Sequence, residues 1–186
     1  MNSGGSRNSG ARSIKNVRPT SGKTRMALFN ILQASGHING GRFLDLFSGT
    51  GGVALAALER GAANVTAVEL DRLLASRITS SIGRSGEEFR CVRGDVRRVV
   101  PKLARESGES GAFDVVFADP PYCMGWGEIM PRLMMEEGRP LLSAGGVFVL
   151  ERSSRETPAE VSIRRDDRIY GETVLSFYWL DIEKRG

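Results

Sequence analysis

The sequence has few cysteines, a single histidine and no long apolar run. Its 186 residues hold two cysteines, Cys91 and Cys123, and one histidine, His37. Two separated thiols make no disulfide framework, and with a lone histidine they make no zinc site, so no metal is expected. No stretch approaches the roughly 20 apolar residues that a spanning helix needs. The amino-terminal residues are Ser, Gly, Asn and Arg with no apolar h-region, so neither a secretory signal nor a membrane partner is expected and the chain reads as cytoplasmic. Acids are missing as well: none precedes Asp45, while residues 1–44 carry the seven bases Arg7, Arg12, Lys15, Arg18, Lys23, Arg25 and Arg42. The rest of the chain holds 19 basic and 22 acidic side chains, a net of −3, so the overall +4 originates before the first strand. Such an acid-free arm suits nucleic-acid phosphates.

Length and an apolar content of 40% fit one well-buried domain. Residues 1–17 read as a basic, flexible arm, residues 18–186 as the domain, and a monomer is favoured. A helix is expected after Pro19, capped by Thr20 or Ser21, with Met26, Leu28, Phe29 and Leu32 on its apolar side and Gly36 and Gly40-Gly41 ending it. From residue 43 strands and helices alternate. Strands are expected at Phe43–Phe47, Val65–Leu70, Phe89–Val92, Phe113–Ala118 and Gly146–Glu151, with helices at Val53–Leu58, Leu73–Ile82, Val96–Ala104 and 126–137 between them. Single-helix connections imply right-handed crossovers and a parallel sheet covered on both faces. Ser162–Tyr170 and Thr173–Ile182 are separated only by Gly171-Glu172, so they form a hairpin and at least one of them runs antiparallel. The expected fold is α/β and Rossmann-like: a mostly parallel seven-stranded sheet closed by a carboxy-terminal antiparallel hairpin, the arrangement of class I methyltransferases, which pattern alone does not separate from other doubly wound folds.

Asp45-Leu46-Phe47-Ser48-Gly49-Thr50-Gly51-Gly52 falls where the first strand turns into the first crossover helix. Its glycines permit a tight turn and close approach to a ligand. Glu69 follows 20 residues after Gly49 and can accept from both hydroxyls of a ribose. The same residues satisfy a general dinucleotide fingerprint. Asp45 tips the reading toward S-adenosylmethionine: a carboxylate before the glycines suits the cationic amino end of methionine and repels a pyrophosphate. Asp95, after the third strand, can accept from an adenine amino group or cap the helix that follows. Asp45, Phe47, Ser48, Gly49, Thr50, Gly51, Glu69, Leu70, Asp95 and Val96 form the expected cofactor site, with S-adenosylhomocysteine (SAH) as product.

Asp119-Pro120-Pro121-Tyr122 follows the fourth strand, at the sheet edge where open α/β folds bind ligands. An exocyclic nucleobase amine is a poor nucleophile because its lone pair is delocalised into the ring. Asp119 and the Pro120 carbonyl can accept its two N–H bonds, the prolines hold those acceptors in place beforehand, and Tyr122 offers a face for stacking an extruded base. Asp119, Pro120, Pro121 and Tyr122 are therefore the expected catalytic residues. Asp-Pro-Pro is also a competent turn, but its position after an apolar strand and the cofactor pattern favours the catalytic reading.

These motifs resemble the RsmD-type bacterial rRNA methyltransferases from about Val17 to Tyr178. The resemblance rests on Arg18-Pro19-Thr20 with Arg25-Met26-Ala27-Leu28-Phe29-Asn30-Ile31-Leu32, on Leu44 to Gly51, on the tetrapeptide and on Tyr170-Gly171-Glu172-Thr173. It implies methylation of guanine N2 in 16S rRNA, as naked rRNA or in the small-subunit particle, and a helix after Thr20 that closes over the methionine end of the cofactor. The chain departs from the family in a shortened amino-terminal hairpin, Gly4-Gly5 to Arg12-Ser13-Ile14. Arg7, Arg12, Lys15, Arg18 and Arg25 are the expected RNA contacts. An adenine-N6 methyltransferase would use the same tetrapeptide, and an NAD-dependent oxidoreductase would explain the glycines and Glu69 but not Asp119 to Tyr122. His37 reads as loop filler, Cys123 as a packing residue, and Trp126 as either a pocket border or a helix-start core residue.

Overall fold

Helix α1 spans Gly22–Ala34 and buries Leu28, Phe29 and Leu32. Met26 does not share that face: it lies about 200° around the helix from Leu28 and is 55% exposed. The expected caps Thr20 and Ser21 lie outside the described residues, which in this computed structural model are 22–82, 88–107, 113–122, 124–138 and 141–180. Gly36, at φ +77°, ends the helix in the left-handed region that disfavours a side chain.

The elements then alternate: β1 (Arg42–Leu46), α2 (Gly52–Glu59), β2 (Asn64–Glu69), α3 (Arg72–Ile82), β3 (Phe89–Arg93), α4 (Val96–Glu106), β4 (Phe113–Ala118), α5 (Trp126–Glu136), β5 (Leu142–Ser153), β6 (Arg164–Tyr170) and β7 (Thr173–Trp179). The sheet order is β3-β2-β1-β4-β5-β7-β6. The first five strands are parallel, and β7 pairs antiparallel with both β5 and β6. The hairpin strand that inserts into the sheet is thus the last one, leaving β6 at the edge. Its Arg164-Arg165-Asp166-Asp167-Arg168 run discourages further strand pairing there.

Strand side chains alternate between two cores. Phe43, Val65, Ala67, Val115, Phe117, Val149 and Phe177 pack under α1, α2 and α3. Leu44, Leu46, Val68, Val116, Ala118, Phe148 and Leu150 face α4 and α5. Burial on both faces explains why Val115 to Ala118 reads as continuous apolar sequence.

β5 starts four residues before the expected Gly146. Its pairing with β4 jumps from Phe113↔Leu142 to Val115↔Val147, an irregularity that absorbs Ser143 to Gly146. Gly145 has φ +78°, and Ser143 Oγ donates to Asp114 Oδ1 at 2.6 Å. His37 braces this same end of the sheet, its Nε2 2.8 Å from the Gly145 carbonyl oxygen and its ring against Trp179. No helix among the described residues is long and apolar enough to cross a membrane.

Candidate active site at the carboxyl edge of the sheet

Three strands deliver carboxyl groups to one edge. Asp45 sits one residue before the end of β1, Asp119 just after β4 and Glu151 near the end of β5, and the register aligns Leu46 with Ala118 and Ala118 with Leu150. Asp45 is 1% exposed and Glu151 2%. Asp45 Oδ2 and Glu151 Oε2 are buried and make no hydrogen bond among the described residues. Burial and the nearby Asp119 push Asp45 up to about 8, against opposing hydrogen bonds from the Ala54 backbone and Ser48. Burial, then Asp119, also raises Glu151. Buried Asp45 and Glu151 oxygens with no partner among the described residues suit a cationic ligand at this edge.

The chain leaves β1 through Phe47 at φ +64°, the one described residue other than glycine with positive φ. A bulky side chain there is strained, and the ring is held against Trp126 at 4.8 Å. Ser48 Oγ donates to the Asp45 carbonyl at 2.8 Å and accepts from Val68 N–H at 3.1 Å, so its hydroxyl stitches β1 to β2. Glu69 takes the Gly49 N–H on Oε2 and the Asp71 N–H on Oε1, each at 2.8 Å. Its carboxylate is thereby aimed across the glycine turn, with further acceptor capacity on both oxygens. Gly51, at φ +81°, lies against α3, where a Cβ would come within 3.0 Å of Ile82 Cδ1. Thr50 and Leu70 are exposed, and Val96 is buried. Asp95 caps α4 by accepting from Arg97 N–H at 2.9 Å.

The tetrapeptide lies beside this turn. Asp119 N–H donates to the Leu46 carbonyl at 3.4 Å, which ties the start of the tetrapeptide to the end of β1. Pro120 is buried and Pro121 exposed. Tyr122 Oη donates to Glu151 Oε1 at 3.3 Å and lies 3.5 Å from Thr173 Oγ1. Burial first, with Glu151 and Asp119 adding, pushes the phenol up to about 12.

Glu151 and Thr173 are the site residues missing from the sequence-based set. An acid closing the apolar run Val147 to Leu150 repeats the pattern of Asp119 after Phe113 to Ala118, and that repetition was the available signal. Arg25 lies in α1, as expected, and a Cβ on Gly52 would lie 3.1 Å from its Nη1, so the guanidinium rests over the start of α2. Trp126 is 7% exposed, which supports its reading as a core residue. Arg7, Arg12, Lys15, Arg18 and Cys123 lie outside the described residues. Among the described residues no cluster of His, Cys, Asp or Glu could hold a metal ion.

Known proteins resemble this chain in sequence and in fold. Ribosomal RNA small subunit methyltransferase D of Escherichia coli (strain K12) is 28% identical over 166 residues, covering 87% of this chain and 79% of that one. A hypothetical protein of Thermus thermophilus has a similar structure, with TM-score 0.73, 29% identity and 88% of each chain covered. The protein SMU.776, whose crystal structure is a complex with SAH, is similar in fold alone, at TM-score 0.58 and 17% identity over 84% of this chain and 48% of that one. A family model described as conserved hypothetical protein 95 matches residues 4–179. With nearly the whole sequence matched and the sheet in class I order, the chain belongs to that family, the RsmD-type methyltransferases.

Proposed function

We propose that this protein transfers a methyl group from S-adenosylmethionine to the exocyclic N2 amine of a guanine in 16S rRNA. The observation that carries the reading is the convergence of Asp119 to Tyr122 with Asp45 and Glu151 at one sheet edge, where two buried carboxyl oxygens have no partner among the described residues. S-adenosylmethionine supplies a methyl group on a positively charged sulfonium, together with a cationic amine. Asp45 pairs with that amine, Glu69 accepts from the ribose hydroxyls, and Asp95 accepts from the adenine. Phe47 to Gly51, Leu70 and Val96 shape the remaining walls. Arg25, beside Gly52, offers a positive charge to the carboxylate end of the methionine moiety.

Asp119 and the Pro120 carbonyl accept the two N–H bonds of the target amine, directing its lone pair at the methyl carbon. One N–C bond forms as the S–C bond breaks, and the nitrogen then gives up one proton toward Asp119 and solvent. Tyr122 stacks on the base, held by its hydrogen bond to Glu151. Proline at 120 and 121 means that the acceptors need little reorganisation during the step. The basic arm, residues 1–17 with Arg18, anchors rRNA phosphates.

Incubation with labelled S-adenosylmethionine and separately with rRNA, small-subunit particles and DNA, followed by digestion to nucleosides, tests the reading. Labelled N2-methylguanosine from rRNA or particles is expected, and N6-methyladenine would overturn the guanine assignment. Asp119→Ala should abolish transfer while cofactor binding persists; substantial residual turnover would remove Asp119 from its role.

A further inference from the structure

Net charge along the chain conceals a second basic region. Residues 72–105 hold nine basic and three acidic side chains, a net of +6 inside a stretch that is negative overall from residue 45 onward. The fold concentrates part of this excess on the rim that carries the active site. Arg72 opens α3 directly after β2, Arg93 ends the edge strand β3, and Arg97 and Arg98 lie in the first turn of α4. All four are exposed. The register pairs Arg93 with Glu69, so the rim begins beside the residue assigned to the cofactor ribose.

None of Arg72, Arg93, Arg97 and Arg98 forms an ion pair with another described residue. The nearest acids in sequence are already engaged: Asp71 accepts from Leu73 and Leu74 N–H, and Asp95 from Arg97 N–H. Arg72, Arg97 and Arg98 stand at helix starts, where the positive end of the macrodipole disfavours cations. A merely solvated helix face would place its bases nearer the carboxyl end. Arg97 is also fixed in direction, its Cζ 4.6 Å above the Trp126 ring, and Trp126 packs in turn on Phe47 of the cofactor turn. The rim is therefore physically continuous with the site.

We propose that this β3-side rim is a second RNA-docking surface, which carries the phosphates of the strand flanking the target base. The inference rests on the RNA reading above and adds to it a surface within the folded domain, separate from the amino-terminal arm. Unpaired, exposed guanidinium groups match a phosphate backbone in charge and geometry. Their position brackets the pocket from the side of β2 and β3, while Asp119 receives the base from β4.

The test compares two triple variants of the full chain with equal change in net charge. One reverses the rim (Arg72→Glu, Arg93→Glu, Arg98→Glu); the other reverses exposed arginines on α5 and β6 (Arg132→Glu, Arg164→Glu, Arg168→Glu). Binding of a short labelled single-stranded RNA is measured against salt, in parallel with S-adenosylmethionine affinity. For the rim variant, affinity at low salt should fall about tenfold or more, and the slope of log K against log salt should shrink by about 2, since each phosphate contact on a single strand contributes about 0.7. Cofactor affinity should not change, and the α5/β6 variant should keep the wild-type slope. Equal losses in both variants would reduce the effect to net charge and overturn the proposal. Wild-type RNA binding by the rim variant would do the same. Binding is read without turnover, so failure of the guanine assignment leaves this measurement intact; a wild-type chain that binds no RNA would overturn both readings.

Discussion

Asp45 is held in conflict. Its carboxyl is buried next to Asp119 and raised to about 8, which favours the protonated form in the protein without cofactor, whereas pairing with an ammonium group favours the ionised one. Between its ordinary 3.8 and about 8 the folded protein binds a proton that the unfolded chain has released, so this residue makes stability fall as pH rises across that window. Glu151, also raised by burial, acts with the same sign. Asp45→Asn should flatten the decline and raise the melting temperature of the cofactor-free protein near neutral pH. It should also weaken cofactor binding by roughly tenfold to a hundredfold, the scale of a charge-assisted hydrogen bond. Melting curves across pH and a binding titration check both, and parallel pH profiles for the two proteins would contradict the assignment.

Tyr122 separates ring from hydroxyl. Tyr122→Phe keeps the stacking face and removes the donor to Glu151, so it should cost about 1 kcal/mol of stability with turnover nearly preserved. Tyr122→Ala should lose about tenfold or more in kcat/KM on RNA, as base stacking is worth about 1–3 kcal/mol. Urea unfolding and steady-state kinetics separate the two effects; equal kinetic losses would mean that the hydroxyl matters and not the ring. Neither the Tyr122–Glu151 bond, which joins residues after β4 and on β5, nor the positive φ of Phe47 at the end of β1 is legible in sequence.

At the scale of elements, the carboxy-terminal hairpin is secured by a buried cation. Arg152 on β5 is 6% exposed. Its guanidinium donates to Ser176 Oγ on β7, to the Ser153 and Glu156 carbonyls, and to Asp167 on β6 at 3.0 Å. Three strands share one fan of donors. Arg152→Met should destabilise by about 3 kcal/mol, because Asp167 loses its closest cation and the Glu156 carbonyl loses a donor. Lysine should rescue only part, lacking the planar fork. Unfolding free energies measured by urea titration decide it; a neutral methionine variant would show that packing alone holds the hairpin. The alternating crossovers and the hairpin itself were readable from periodicity and from Gly171-Glu172. Inside α1, Met26 departs from the expected apolar side because its sequence does not reveal which face is covered, and the early start of β5 is not visible because Ser143 to Gly146 break its apolar run.

At the scale of the whole molecule, charge is partitioned. The amino-terminal sequence is acid-free and basic, the β3-side rim carries exposed arginines, and the carboxyl edge of the sheet holds buried acids. On the proposed reading, a cationic donor would enter the pocket while the phosphates of RNA meet the basic surfaces, which would keep the like charges of RNA and Asp119 apart except at the target base. Reversing Arg7, Arg12 and Lys15 should weaken RNA binding and lower its salt dependence with cofactor affinity intact; filter binding across salt checks this, and an unchanged slope would remove the arm from the interface.

The sequence by itself determined the class of fold, the motif order and the type of chemistry, because strand–helix periodicity, a glycine turn and Asp119 to Tyr122 are local patterns whose physical meaning does not depend on distant residues. Only the tertiary structure decided that Glu151 joins Asp45 and Asp119, that Arg25 rests on the glycine turn, and that bases from α3, β3 and α4 share one rim. Those relations depend on parallel register and crossover packing, which bring distant residues within a few ångströms and thereby set burial and charge.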